Sequence, residues 1–345
     1  MVIVPNFFFI IKIKLQKLNM KVFINKRIPQ IGLDILKQGN LEIITPENEV
    51  ETYEEWLEYC KKADLILNVS KNTFDKKFFE QCPNVKAIAL FSVGFDNVDI
   101  GEATRRKIPV GNTPDVLSRA TSAVAFLLMQ MVSRKASYNI DKVKSGNWKD
   151  FDALEQLGQE LYGKTLGVFG LGRIGFEMAE KCQKAFDMKI IYHNRSQNSE
   201  VEEKLNARYV SFDELVEKSD VITIHANYTE NQANLFNKSV FEKMKSNAIF
   251  INTARGGFQN EKDLFEALNS GEIWGAGLDV TNPEPMEHEN PLLQLPNVCV
   301  LPHIGSATIE ARNGMAKLAA ENIIAFTKGE KMPTCANPEV YQKVE

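Results

Sequence analysis

Cysteine is scarce in this chain of 345 residues, and a disulfide framework is absent from its pattern. The five cysteines, Cys60, Cys82, Cys182, Cys299 and Cys335, form an odd set with no CxxC pair. That excludes a bridged secreted scaffold and a zinc-ligand cluster, fits a reducing compartment, and leaves buried apolar thiols as the simplest reading. Basic charge is not concentrated anywhere: 41 Lys and Arg against 45 Asp and Glu leave a net charge of −4. A nucleic-acid partner is therefore not expected, and an anionic small molecule would have to be held by a local cation. The apolar run near the start, 7–11, is bounded by Pro5-Asn6 and Lys12. It is too short to span a bilayer, so no membrane partner is expected. Residues 1–19 have no acid, no Arg, no Ser and no small-residue cleavage site, unlike a transit peptide or a secretory signal. They read as an N-terminal extension before a domain that opens at Met20, with a weak targeting segment as the alternative and the cytoplasm as the expected location.

What is present is ordinary for a globular protein: 44% apolar and 25% charged residues, with room for two domains. From Met20, short apolar runs alternate with amphipathic stretches. Strands are expected at Lys21–Ile24, Leu65–Asn68, 85–91 and 108–111, with helices at Gln30–Gln38, 53–62 and 74–82. Residues 115–135 read as one long helix, and 136–161 as a connector rich in Lys, Gly and Asp. A second alternating series follows, with strands at 166–170, Lys189–His193, 221–226, 248–253, 276–280 and 298–301, and a final helix at 309–326 before Gly329. Alternation of this kind implies the α/β class: two doubly wound parallel-sheet domains with a ligand cleft between them.

The first chemical signal is Gly170-Leu171-Gly172-Arg173-Ile174-Gly175, a GxGxxG directly after one expected strand and opening a helix. In that context Gly170 permits the tight turn, Gly172 lets a pyrophosphate approach the backbone, and Gly175 lets helix and strand pack closely. The helix start offers unpaired N–H groups to phosphate, and Arg173 adds a charge. The next strand ends at His193-Asn194-Arg195-Ser196, where an acid would select NAD by bonding the ribose 2′-OH. No acid stands there. Arg195 suits a 2′-phosphate, with Asn194 and Ser196 as donors, so NADP(H) is the expected cofactor and NAD(H) the alternative.

Three polar residues each follow a later strand: Arg255 in NTARGG, Glu284 in DVTNPEP and His303 in LPHIGSAT. Carboxyl ends of parallel strands share one edge, so the three can converge. Each alone has an ordinary explanation as a loop or surface residue; all three in order on successive strands do not. Together they suit reduction of a 2-ketoacid. His303 would supply the proton, and Glu284 would orient the ring and favour its charged form. Arg255 would hold the substrate carboxylate and polarise the ketone. Asp279 is placed to hold the nicotinamide carboxamide. His225 and His288 read as structural. In Phe91-Ser92-Val93-Gly94-Phe95-Asp96, the Gly turn after a strand lets Val93 and Gly94 offer backbone N–H groups to an anion, although a plain helix cap explains the pattern equally well.

The stretches LGVFGLGRIG, INTARGG, AGLDVTNPEP and LPHIGSAT resemble the signatures of the D-isomer-specific 2-hydroxyacid dehydrogenases over about residues 20–340. With VGNTPDVL at 110–117, they resemble the glyoxylate/hydroxypyruvate reductase branch in particular. The resemblance implies a flavodoxin-like substrate domain from 20–116 and 305–345, a Rossmann cofactor domain from 117–304, and a homodimer built through the cofactor domains and the long helix. It implies Arg255, Glu284 and His303 as the catalytic set. Val93 and Gly94 would bind substrate carboxylate, with Val69 or Ser70 closing the pocket. Thr121, Arg173, Ile174, Thr253, Ala254, Asp279 and Gly305 would line the cofactor site; no metal is implied. The chain departs from relatives at Ala123, at Phe151 after Trp148, and at Phe258-Gln259. D-lactate and phosphoglycerate dehydrogenases are weaker fits. So is formate dehydrogenase, whose histidine pairs with Gln where this chain has Glu284. A cofactor-sensing corepressor module stays open.

Overall fold

A computed structural model describes residues 20–48, 50, 52–69 and 71–342. The expected extension, 1–19, lies outside them. The first sheet has five parallel strands: β1 (Lys21–Ile24), β2 (Glu42–Ile44), β3 (Leu65–Asn68), β4 (Ala87–Leu90) and β5 (Val110–Gly111), in the order β2-β1-β3-β4-β5. Helices α1 (Gln30–Gln38), α2 (Tyr53–Cys60), α3 (Lys76–Gln81) and α4 (Ile100–Arg105) connect them. After α5 (Ser118–Ser133) and α6 (Ala136–Lys144) comes the second sheet, of seven parallel strands. These are β6 (Thr165–Phe169), β7 (Lys189–His193), β8 (Arg208–Tyr209), β9 (Val221–Ile224), β10 (Ile249–Asn252), β11 (Gly275–Leu278) and β12 (Val298–Val300), in the order β12-β11-β10-β9-β6-β7-β8. Its helices are α7 (Arg173–Phe186), α8 (Ser199–Leu205), α9 (Phe212–Lys218), α10 (Lys238–Phe241) and α11 (Glu261–Ser270). The chain closes with α12 (Ile309–Thr327).

The central strands are buried on both faces: every residue of β3, β4, β9, β10 and β11 is inside. That is why they read as continuous apolar runs and not as alternating ones. Each fully buried Leu, Ile or Val contributes roughly 1.5–3 kcal/mol, against roughly 0–1 kcal/mol for an exposed ion pair, so the apolar layers hold each unit together. Below β1, β3 and β4 lies an aromatic cluster in which Trp56 meets Phe74 and Phe78 at ring-centroid distances of 5.2 and 5.1 Å.

Helix α12 returns to the first sheet. Its small buried residues Ala311, Ala316, Ala319 and Ala320 let it lie against α1, β3 and β4. The tail then straps the edge strand. Asn337, fully buried, accepts from the Val110 amide at 2.8 Å and donates to the Ile108 carbonyl at 2.9 Å. The expected single helix at 115–135 starts at Ser118. The expected connector contains α6, whose residues are all at least partly exposed, so its apolar signal is weak. The edge strands β2 and β8 were not anticipated: three and two residues long, they carry too little pattern.

Strand order reverses between β9 and β6 in the large sheet, and between β1 and β3 in the small one. In open parallel sheets a crevice forms outside the carboxyl ends at such points. Both units place their ligand-facing loops there.

Candidate active site

At the carboxyl end of β6 the chain turns at Gly170, whose φ is +95°. A Cβ there would lie 2.3 Å from the Ala226 amide nitrogen, so both conformation and space demand glycine. Gly172 caps α7, and the first-turn amides of Arg173, Ile174 and Gly175 have no intrahelical acceptor. The turn is braced from β7: the Leu171 amide donates to Asn194 Oδ1 at 2.7 Å. Asn194 thus spends its side chain on the turn. Arg195 and Ser196, next in sequence, are exposed. A cleft of about 600 Å³ opens from the turn, lined among others by Gly172, Arg173, Phe176, Arg119, Val201 and Lys204. Arg173 reaches out of this unit to pair with Asp115, Nε to Oδ1, at 2.5 Å. Ile174 packs on the core of the first unit.

Three further strand ends supply the polar groups expected from the sequence. After β10, Thr253 is buried with its Oγ1 unpartnered. A buried orphan hydroxyl beside a cleft calls for a ligand partner. Asn252 shapes the next turn: its Oδ1 accepts from the Ala254 amide at 2.9 Å, and its Nδ2 donates to the Arg255 carbonyl at 2.8 Å and to Gln259 Oε1. Arg255 donates Nη1 to the Ala254 carbonyl at 2.8 Å. Its other fork faces the first unit, where Asp96 Oδ1 lies 3.0 Å from Nε and 2.9 Å from Nη2.

After β11, both oxygens of Asp279 accept backbone amides, Oδ1 from Ile304 at 2.8 Å and Oδ2 from Gly305 at 2.7 Å. Burial pushes the Asp279 carboxyl up even so. Asp279 therefore holds the turn that presents His303. Gly305 sits against it and against Thr121 of α5; a Cβ on Gly305 would lie 3.0 Å from Asp279 Oδ2 and 3.2 Å from Thr121 Cγ2.

After β12, His303 takes a left-handed conformation, φ +54°, uncommon for a residue with a Cβ and a form of strain often found at functional sites. Its Nδ1 donates to Glu284 Oε1 at 2.5 Å. Nε2 makes no hydrogen bond among the described residues, and the side chain is 41% exposed. Burial pushes Glu284 up, but the contacts from His303 and Lys71 outweigh it and hold the carboxyl down at about 2. The pair is thus an imidazole with one nitrogen fixed by an ionised carboxylate and the other open. That is the arrangement of a proton donor and acceptor.

The first unit supplies the facing loop. Ser92 Oγ donates to the Gly94 carbonyl at 2.7 Å, and Asn112 Nδ2 to the Val93 carbonyl at 2.9 Å, which sets the turn after β4. A Cβ on Gly94 would lie 2.0 Å from Arg255 Nη2, so only glycine lets the arginine in. The Val69 amide donates to Asn25 Oδ1 at 2.8 Å. Ser70 lies outside the described residues.

So the structure brings Arg255, Glu284 and His303 to one sheet edge, and Thr121, Asp279 and Gly305 to one turn. Gly94 meets Arg255 across the cleft. Sequence reasoning gave no role to Asp96 or Lys71, which reach Arg255 and Glu284 from the first unit. The only signal for either was a charge in a loop after a strand. His225 is enclosed, with Nε2 against Thr223 Oγ1 at 2.9 Å, and burial drives its pKa down to about 3. His288 is exposed beside Glu289. Both stand apart from the dyad.

Residues 126–305 match the family model described as D-isomer specific 2-hydroxyacid dehydrogenase, NAD binding domain. A glyoxylate reductase of Thermococcus litoralis is 42% identical over 324 residues, 93% of this chain and 97% of that protein. The chain belongs to the D-isomer specific 2-hydroxyacid dehydrogenase family. Among solved structures, a glyoxylate reductase from Paecilomyes thermophila is similar with a TM-score of 0.82 at 33% identity, over 93% of this chain and 99% of that one. An NADPH-dependent glyoxylate/hydroxypyruvate reductase from Sinorhizobium meliloti, solved with NADP and malonate, is similar with a TM-score of 0.81 at 28% identity, over 95% and 99%.

As a member of this family the chain is an oxidoreductase acting on CH–OH donors with a nicotinamide cofactor. The residues present fit that group: a glycine turn at positive φ, a helix start with open amides, and the orphan Thr253 hydroxyl. Among the described residues, no helix is long and apolar enough to cross a membrane.

Proposed function

We propose that this dehydrogenase reduces small 2-ketoacids of the glyoxylate and hydroxypyruvate type to D-2-hydroxy acids, with NADPH preferred over NADH. The observation that carries the reading is the His303–Glu284 pair beside Arg255 at one sheet edge, facing the Val93–Gly94 loop. The nicotinamide, when bound, supplies the hydride. The rest belongs to the chain. Arg255, its side fork held by Asp96, keeps N–H groups for the substrate carboxylate and ketone oxygen. Val93 and Gly94 present backbone amides to the same carboxylate, with Val69 closing that side of the pocket. His303 gives its Nε2 proton to the new hydroxyl, and Glu284 stabilises the charged ring and fixes its orientation.

The cofactor would lie along Gly170, Gly172, Arg173, Ile174 and Gly175, with Thr121, Thr253, Ala254, Asp279 and Gly305 at its reactive end. Preference for the 2′-phosphate rests on the exposed Arg195, with Ser196 beside it and no acid at that strand end. Asn194 acts there through the turn it braces. In this reading residues 20–116 and 305–345 form the substrate domain and 117–304 the cofactor domain. The work is cytoplasmic, and two copies associate. Support for association comes from the connector, where Phe151 and Leu154 are 86% and 80% exposed and Trp148, Leu157 and Tyr162 are exposed beside them. Lone apolar side chains are normal on surfaces; five exposed ones within fifteen residues support an interface there.

Initial rates of NADPH and NADH oxidation with glyoxylate, hydroxypyruvate and pyruvate test the proposal. Fast turnover of the first two with NADPH is expected. Turnover only of a larger ketoacid, or a preference for NADH, would overturn the respective half.

A further inference from the structure

Glu284 has two oxygens and the reaction as described uses one. Oε1 accepts from His303 Nδ1. Oε2 is shut away from solvent and has no aligned hydrogen bond, yet the Lys71 ammonium lies 2.8 Å from it. Lys71 belongs to the other unit, on the loop that leaves β3. Its side chain is 57% exposed, whereas that of Glu284 is 20% exposed. An ordinary surface ion pair is worth roughly 0–1 kcal/mol and would deserve no role. This one differs in two respects. Its acceptor is largely removed from water, where pairing matters more. It is also the carboxylate that sets the catalytic imidazole.

We propose that Lys71 is a positioning residue for the reaction: reaching across the cleft, it grips Glu284 Oε2 and so aims Oε1 at His303 when the two units are together. A carboxylate held at one oxygen only can swing about its last bond. Held at both, it presents one lone pair to Nδ1 and leaves Nε2 directed at the cleft. Because the grip comes from the opposite unit, the dyad is fully ordered only in the arrangement in which Arg255 also meets Gly94 and Asp96.

The inference rests on His303 being the proton donor, so its test carries a readout that needs no turnover. The charged groups around His303 are Glu284 at its side, Lys71 from the loop after β3, and Asp279 beneath the 303–305 turn; Arg312 of α12 acts in turn on Asp279. Lys71→Met and Lys71→Arg would be compared with the unaltered protein. In Lys71→Met, kcat for ketoacid reduction falls about tenfold while KM stays within about twofold. Lys71→Arg recovers most of the loss. Without substrate, the downfield NMR resonance of the His303 Nδ1 proton, held by Glu284 in the unaltered protein, moves upfield or is lost to exchange in Lys71→Met. A raised KM with kcat intact would make Lys71 a substrate contact and overturn the proposal. An unchanged Nδ1 proton resonance would overturn it as well, even where the ketoacid assays succeed. A shifted or lost resonance in a protein that reduces none of the ketoacids would uphold Lys71 and refute the substrate assignment instead.

Discussion

His303 is held in a left-handed backbone conformation, which costs stability, with its ring against a carboxylate pressed down to about 2 and one nitrogen left open. Replacing it tests the chemistry alone if the backbone is spared. Asparagine tolerates the left-handed region, so His303→Asn should keep fold and NADPH binding while the reduction rate drops on the order of 10²–10⁴-fold, the usual worth of general acid catalysis. Stopped assays with parallel fluorescence titration of NADPH would show both. Glu284 predicts a pH dependence of stability. Its folded value, about 2, lies below the ordinary 4.5, so the ionised group stabilises the fold fully above about 4.5 and loses that contribution as pH falls toward about 2. The melting-temperature gap between the unaltered protein and Glu284→Gln should therefore be widest near neutral pH and close through that acid window. A gap that widens on acidification would contradict the assignment.

Strand ends carry the candidate site, and that made much of it readable beforehand. Arg255, Glu284 and His303 each follow a buried strand, and parallel pairing brings those ends to one edge whatever the loop details. The glycine turn was readable for a similar reason, since strand, turn and helix are contiguous in sequence. Asp96 and Lys71 were not, because their partners lie 159 and 213 positions away on a different sheet, a juxtaposition no local pattern encodes. Helix α6 was missed because it rests on α5 and β12 without burying any residue fully, and β2 and β8 because so short a run shows no period. Asn194 kept its place at the end of β7 but turned inward to brace Leu171. In the proposed reading that leaves Arg195 as the group that reads the cofactor. Arg195→Asp should lower the ratio of NADPH to NADH efficiency on the order of 10- to 100-fold, since a charge-assisted bond is worth roughly 1.5–3 kcal/mol. A ratio that stays put in kinetics with both cofactors would remove Arg195 from the account.

At the scale of the molecule, the chain leaves the first sheet after β5, builds the second, and comes back through α12, so two strands of backbone link the units and the cleft lies between them. Besides Ile174 packed on the core of the first unit, charged pairs cross it: Arg255 with Asp96, Lys71 with Glu284, Arg173 with Asp115. Such pairs fix geometry more than they add stability. The apolar connector around Trp148 and Phe151 points outward from this arrangement. Light scattering on a sizing column should give twice the chain mass, and Phe151→Glu combined with Leu154→Glu should shift it toward the monomer; a monomer at the outset would refute association through that surface. The account as a whole claims that one dyad and one arginine deliver a proton and hold a small 2-ketoacid for stereospecific reduction. Its most direct test is chiral analysis of the product from hydroxypyruvate and NADPH, run with the unaltered protein and with His303→Asn. The account predicts D-glycerate alone from the former and almost none from the latter. L-glycerate, a racemate, or equal yield from both would contradict it.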